Sequence, residues 1–367
     1  MDDRVNTPAL ASEGRGGAIE SPGPGGVRAT SASVPRVLSR DPRQWRRLLT
    51  MSGGVVALLT VGAFSLCWGS ASLSSQEVWS SLFGVEETVA THIVWTLRLP
   101  RLLLGILVGM SLALSGVLLQ AVMQNPLADP GIIGVSAGAG LVAVILLILF
   151  PHVSGWLPAA AAFGGLGAAL CIYALAWRDG GVSPLRVILA GVAVNTFLAS
   201  LMGLLMLLYS ERVPAVLGWM AGSLNGRSWP HVQLLWPYAC GAGALTCCTA
   251  RFLNLLLLGE ERAAALGLRL TRVRLTLSAL AAILAAGVVS IGGLIGFVGL
   301  VIPHFCRLLV GADHRFLLPA AVIIGATLVV SADLVARLVF APLELPVGAV
   351  LALLGAPYFL WLLRKEG

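Results

Sequence analysis

Apolar residues in this chain run in long, nearly uncharged blocks. About 20 consecutive apolar residues are the length an α-helix needs to cross a bilayer. Such runs lie near 48–68, 100–122, 131–150, 156–177, 187–208, 230–250, 275–290, 294–310, 317–335 and 346–363. The pattern predicts an all-α integral membrane protein with about ten transmembrane helices over residues 48–367. Residues 1–47 are rich in Gly, Pro, Ser and Arg and hold few large apolar side chains. Such a segment cannot bury enough surface to order itself, so a disordered cytoplasmic tail is expected there.

Composition sharpens this reading. The chain is 57% hydrophobic and 11% charged, where a soluble domain carries about a quarter charged residues. Exposed apolar surface of that extent drives association in water, whereas lipid accommodates it. The 43 glycines suit helices that approach closely. Gly105/Gly109 and Gly292/Gly296 have GxxxG spacing and are read as helix-packing contacts. Cys67, Cys171, Cys240, Cys247, Cys248 and Cys306 all fall in apolar runs, with no CxxC or Cys/His spacing. They read as small buried apolar residues, not as a zinc site or a disulfide framework.

The formal charge of +7 would suggest nucleic acid in a soluble protein. Here its distribution along the chain speaks instead for membrane orientation. With the tail inside, alternation of the spans puts fifteen Lys and Arg residues in inner segments between Arg40 and Lys365. The outer segments then hold five: Arg98, Arg101, Arg212, Arg227 and Arg337. That excess places both termini in the cytoplasm. The uncharged stretch 275–303 fits one long helix or two short ones. Ser290-Ile291-Gly292-Gly293 marks a break, and two spans are preferred.

Several kinds of machine are disfavoured. A P-loop needs a Lys to reach the phosphates, and the single lysine, Lys365, follows no such loop. Ion-coupled carriers place carboxylates at mid-membrane. In this chain Asp129, Asp179, Glu260, Glu261 and Asp313 are assigned to inner loops, and Asp333 and Glu344 to the outer end of a span. Gly134-Val135-Ser136-Ala137-Gly138 matches GxSxG, but it opens a membrane span where a nucleophile elbow needs strand, turn and helix. His92, His152, His231, His304 and His314 are scattered. No catalytic residue and no metal site is therefore assigned. What remains is a pore-forming subunit driven by another protein, with an ion-coupled carrier as the alternative from another class.

The longest inner loop spans 253–274. Within it Gly259 and Gly267 bracket about two turns of helix formers, Glu260-Glu261-Arg262-Ala263-Ala264-Ala265-Leu266. Such a piece can seat in a partner's groove and transmit a rigid push. It can equally be a solvated amphipathic connector.

At this point an ordered series of motifs resembles a known family. Arg98-Leu99-Pro100-Arg101 opens the series, followed by Asn125-Pro126-Leu127-Ala128-Asp129-Pro130-Gly131 and Gly134-Val135-Ser136-Ala137-Gly138. Leu189-Ala190-Gly191, Trp219-Met220-Ala221-Gly222-Ser223 and Leu258-Gly259-Glu260-Glu261 come next. Gly296-Phe297-Val298-Gly299 through Pro303-His304, Asp313-His314-Arg315 and Glu344-Leu345-Pro346-Val347-Gly348 complete it. Over roughly residues 60–363 the chain resembles the permease subunit of the iron-siderophore, haem and cobalamin (FecCD-type) ABC importers. The long tail departs from the usual short one.

The resemblance implies ten helices per subunit and a second permease copy, identical or closely related. It implies two ATP-hydrolysing subunits, which bind the ATP and magnesium, and a periplasmic or lipid-anchored binding protein, all at a bacterial inner membrane. The cargo it implies is a chelate, with a ferric siderophore first and haem or cobalamin as alternatives. Leu258, Gly259, Glu260, Glu261, Ala264, Leu266 and Gly267 would then couple to the ATPase. Arg98, Arg101 and Arg337 would dock onto carboxylates of the binding protein, the bland reading being snorkelling at helix ends. Asp333, one turn before Arg337, would orient it as an i,i+4 pair. Asn125, Pro126, Asp129 and Pro130 read as a structural turn.

Overall fold

A computed structural model describes residues 42–69, 73–84, 88–178 and 181–366. The expected tail lies outside these residues up to Asp41. The first helix, α1 (Pro42–Cys67), begins ahead of the apolar run. The last part of the expected tail, residues 42–47, is therefore helical, and within it Arg46 and Arg47 reach carbonyls near the end of a neighbouring helix, at Leu308 and Val310.

A short amphipathic helix, α2 (Ser75–Phe83), follows, closed by a capping box between Ser74 and Glu77. The Ser74 backbone N–H and hydroxyl both donate to Glu77 (2.7 and 2.8 Å), which holds that carboxyl below its usual range. The helices α3 (Val89–His92) and α4 (Leu99–Met123) are joined by a π-helical turn, Ile93–Arg98. Then come α5 (Val135–Leu149), α6 (Leu157–Ala176), α7 (Pro184–Leu208), α8 (Val213–Met220), α9 (Trp229–Cys248) and α10 (Ala250–Leu256). The chain closes with α11 (Glu260–Ala265), α12 (Leu270–Gly292), α13 (Val298–Val310), α14 (His314–Leu338) and α15 (Val347–Glu366). A two-residue antiparallel ribbon pairs Trp177–Arg178 with Gly181–Val182.

Among the described residues six helices are long and apolar enough to cross a membrane. The pair α9 and α10, bent by 56°, makes a seventh, and α5, α13 and Val347–Trp361 are shorter apolar helices. This is a multi-pass membrane protein. Its outward surface is apolar: Leu189, Val192, Phe197 and Leu207 of α7 are all exposed. For the same reason Cys171, Cys240, Cys247 and Cys248 lie on the outside and only Cys306 is buried. Burial was the wrong expectation for apolar residues whose solvent is lipid.

The helix α4 is the central post of the body. Gly109 packs so closely on α14 that a Cβ would collide with the Gly325 carbonyl, and one at Gly116 would collide with Gly299 of α13. Ser115 donates to the Ala281 carbonyl of α12 (2.8 Å). The chain therefore passes this level of α4 at Ala281 and returns to it at Gly299, so it reverses between them. Gly293, at φ +72°, makes the break, and the two-helix reading of 275–303 holds. Gly296 lies in the turn with no atom within 4 Å of an added Cβ, so the Gly292/Gly296 spacing is not a helix-packing motif.

The short helices α5 and α13 both start deep in the body. After α4 ends, residues 124–134 turn back inward, and Asn195 of α7 donates to the Gly131 carbonyl (2.9 Å). Asp129, Pro130 and Gly131 line a cavity of about 110 Å³ with Leu112 near the middle of α4, with Val289 of α12, and with Gly296 and Phe297 before α13. Asp129 is thus drawn into the body and is not in an inner loop. Non-helical backbone at membrane depth survives only where protein or a cavity covers it. Here Asp129 accepts the Gly131 N–H (2.9 Å), and Gly134 takes φ +82° to start α5.

Candidate functional site

Two groups of motif residues lie at opposite ends of α4. Around its first turn, Arg98, Arg101 and Arg337 do come together, but their guanidiniums point into the chain. The helix α1 ends at Cys67, and the last carbonyls of a helix have no partner within it. Arg98 donates to the carbonyls of Leu66 (2.6 Å) and Cys67 (2.8 Å). Arg337 donates to the Ser65 hydroxyl (2.6 Å) and more loosely to the Ser65 and Trp68 carbonyls. Two cations from distant helices thus cap α1, whose own last turn contains no basic residue, where the helix dipole favours positive charge.

Arg101 makes the fork–fork contact that a carboxylate and a guanidinium favour. Its Nε and Nη2 lie 2.9–3.1 Å from the Asp333 oxygens, and its Nη1 lies 2.8 Å from Glu344 Oε2. Asp333 also pairs with Arg337 at 3.2 Å, the expected i,i+4 contact. Arg98, Asp333 and Arg337 are buried, at 3–5% exposure. The network ties α1, α4, α14 and the segment before α15 into one block. The expected docking arginines have their charge engaged inside the chain, because Asp333 and Glu344 are within reach in the folded state though 232 and 243 positions away in sequence.

Just beneath this block three glycine turns interlock. The Ser223 N–H donates to the Gly292 carbonyl (2.8 Å), and the Gly348 N–H to the Gly222 carbonyl (2.9 Å). A Cβ on Gly293 would collide with the Trp219 carbonyl. The segments 219–223, 292–299 and 344–348 therefore form one joint.

At the other end, α11 is a short piece of about one and a half turns between α10 and α12. Gly259, at φ +91°, starts it and Gly267, at φ +84°, stops it. The Leu268 N–H reaches the Ala263 carbonyl (3.1 Å) and the Gly267 N–H reaches Ala264 (2.9 Å), which is the Schellman pattern. Glu260 and Glu261 sit in the first turn, where the dipole favours them. Glu260 also pairs with Arg274 of α12 at 2.5 Å. Ala263 is fully buried and anchors the piece, while Leu258 and Leu266 stand out at 45% and 64% exposure, with Glu261 and Ala264 beside them.

Asn125 and Pro126 face this segment across a cavity of about 360 Å³ that also touches Gln120, Gly259 and Arg307. The Asn125 side chain accepts the Leu127 N–H (2.9 Å). The proposed turn is therefore split: Asn125 and Pro126 border the coupling segment, and Asp129 and Pro130 lie in the interior. Sequence reading missed Asn254, which ties α10 to the start of α14. It donates to Asp313 (2.8 Å) and accepts the His314 N–H (2.9 Å). Nothing in the sequence links those positions. Among the described residues no three His, Cys, Asp or Glu side chains cluster as metal ligands would.

Residues 57–365 match the FecCD transport family. The chain belongs to that family. This FecCD protein is 44% identical over 284 residues to the cobalamin import system permease protein BtuC of Halobacterium salinarum, covering 77% of this chain and 76% of that one. It is 39% identical over 333 residues to the hemin transport system permease protein HmuU of Yersinia pestis, covering 86% and 96%. Among solved structures it resembles a metal-chelate type ABC transporter in an inward-facing conformation, with TM-score 0.77 and 32% identity over 86% of this chain and 98% of that one. The ordered motif series thus reads correctly as a FecCD permease, a transport subunit and not a catalytic enzyme.

Proposed function

We propose that this FecCD permease is the membrane half of an ATP-driven importer of metal chelates at a bacterial inner membrane. All ten apolar helices enter the bilayer, and both termini are cytoplasmic. A second permease copy completes the pathway, two ATPase subunits supply ATP and magnesium, and a periplasmic or lipid-anchored binding protein delivers the cargo. The observation that carries this reading is α11: a short, doubly capped helix anchored by Ala263 and Glu260–Arg274, with Leu258, Glu261, Ala264 and Leu266 turned outward. A rigid knob of this kind transmits force to a partner, which a solvated connector has no need to do.

At the far end, the Arg98–Arg101–Arg337 network serves the binding protein by bracing the surface on which it docks. A ferric siderophore is the first cargo. A Bacillus subtilis iron(3+)-hydroxamate permease protein, FhuB, is 38% identical over 88% of this chain. The 44% identity to a cobalamin permease supports cobalamin as the second reading, with haem as the third. Deleting the gene and measuring growth on ferric siderophore, haem or cobalamin as the limiting nutrient tests the cargo. Loss on siderophore alone is expected. Loss on cobalamin alone replaces the first reading by the second, and normal growth on all three removes the chelate class.

A further inference from the structure

A cavity of about 740 Å³ runs between α1, α13, α14 and α15. Its lining is almost wholly aliphatic and aromatic. Of its four hydroxyl side chains, three are already bonded within their own helices: Thr50 to the Arg46 carbonyl (2.8 Å), Thr327 to Ile323 (2.8 Å) and Ser331 to Thr327 (2.7 Å). Such a groove gives a polar chelate or peptide little to hold. It suits a hydrocarbon chain.

The polar end of the groove has a distinct character. Leu309 belongs both to this groove and to a second cavity of about 300 Å³, lined by Arg46, Arg47 and residues 307–313. On α1 the basic pair continues into the groove at helical spacing, from Arg46 to Thr50, Gly53 and Ala57. Arg47 stacks over Phe316 at 4.0 Å and donates by Nε to the Val310 carbonyl (3.1 Å), which fixes its position. Arg46 is exposed beside it. Trp45, also exposed, has the amphipathic ring found at headgroup level. Asp313, the acid in this cavity, is held by the Asn254 side chain and the Arg315 N–H.

A basic pocket that opens between transmembrane helices onto an apolar slot is complementary to one class of molecule. We infer that this groove binds an anionic phospholipid of the cytoplasmic leaflet, its phosphate on Arg46 and Arg47 and an acyl chain along Gly53 between α1 and α15. Gly53 is the informative position, because an added Cβ there meets no atom within 4 Å. The space above it belongs to the groove and not to helix packing. The inference stands apart from the cargo reading, since no groove residue is assigned to transport.

The test is native mass spectrometry of the delipidated full chain, with dioleoylphosphatidylglycerol or dioleoylphosphatidylcholine added. Wild type should retain phosphatidylglycerol in preference to phosphatidylcholine. R46Q/R47Q should weaken phosphatidylglycerol binding about thirtyfold, given the usual contribution of each basic residue near an anionic surface. Gly53→Phe should abolish retention by filling the slot with charge unchanged, and Gly53→Ala should bind as wild type. Equal retention of the two lipids by wild type overturns the proposal, as does undiminished phosphatidylglycerol binding in Gly53→Phe. Should R46Q/R47Q fail to fold, the lipid contrast and the Gly53 pair still decide it.

Discussion

Replacing Asp333 by Asn should unbalance the charge block that ties α1 to α4 and α14. Three arginines against two carboxylates leave one net positive charge among Arg98, Arg101, Arg337, Asp333 and Glu344; losing Asp333 leaves two. Asp333 is the shared partner, paired with Arg101 at 2.9 Å and Arg337 at 3.2 Å, and its side chain and that of Arg337 are each 4% exposed. Removing one member of a buried pair costs about 3–5 kcal/mol, because the remaining charge has no water to turn to. Asn keeps an acceptor, so the low end, about 3 kcal/mol, applies. At about 2 °C per kcal/mol for a large domain, the melting temperature in detergent should fall by roughly 6 °C. D333N/R101M restores one net positive charge and should recover part of that loss, leaving Glu344 without Arg101. The assay is thermal unfolding of the purified full chain followed by tryptophan fluorescence. A D333N melting temperature within 1 °C of wild type would refute the network as a structural tie.

Other expectations follow from single contacts. Gly116→Ala should lower stability by several kcal/mol, since its Cβ meets the α13 backbone at Gly299, and the yield of monodisperse protein reads this. Asp313→Ala removes the N-cap of α14 and should cost about 1 kcal/mol in a denaturation midpoint. Burial raises the Asp313 carboxyl, but the Arg315 N–H, Asn254 and nearby arginines outweigh it and hold it below its ordinary 3.8. The cap's contribution is therefore complete above pH 3.8 and lost as pH falls through the depressed value; D313A should flatten that acid limb. Leu266→Glu on the exposed face of α11 should leave folding unchanged and uncouple transport from ATP hydrolysis, read as ATPase activity without uptake.

The sequence located the apolar helices well because lipid imposes a length and a composition that can be read directly. Three features were harder to read. The starts of α5 and α13 lie inside apolar runs, and hydropathy does not separate a buried turn from a helix there; Pro130-Gly131 and Gly292-Gly293 were the available signals. The partners of Arg98 and Arg101 could not be seen, because a guanidinium at a span end looks the same whether it meets water or a carboxylate 232 positions away. The helix α2 lies outside the long apolar runs, and its one local signal is the Ser-x-x-Glu capping signature of Ser74 and Glu77. The α11 piece was legible in full, since Gly259 and Gly267 mark both ends.

The proposed activity is movement of a chelate across the membrane with energy taken from partner ATPases. The direct measurement is uptake of radioactive iron as a ferric siderophore into proteoliposomes containing the permease, its ATPase subunits and its binding protein. Uptake should require ATP with magnesium on the ATPase side and should be lost with Leu266→Glu. Uptake that proceeds without ATP and follows an imposed ion gradient would contradict the proposed activity.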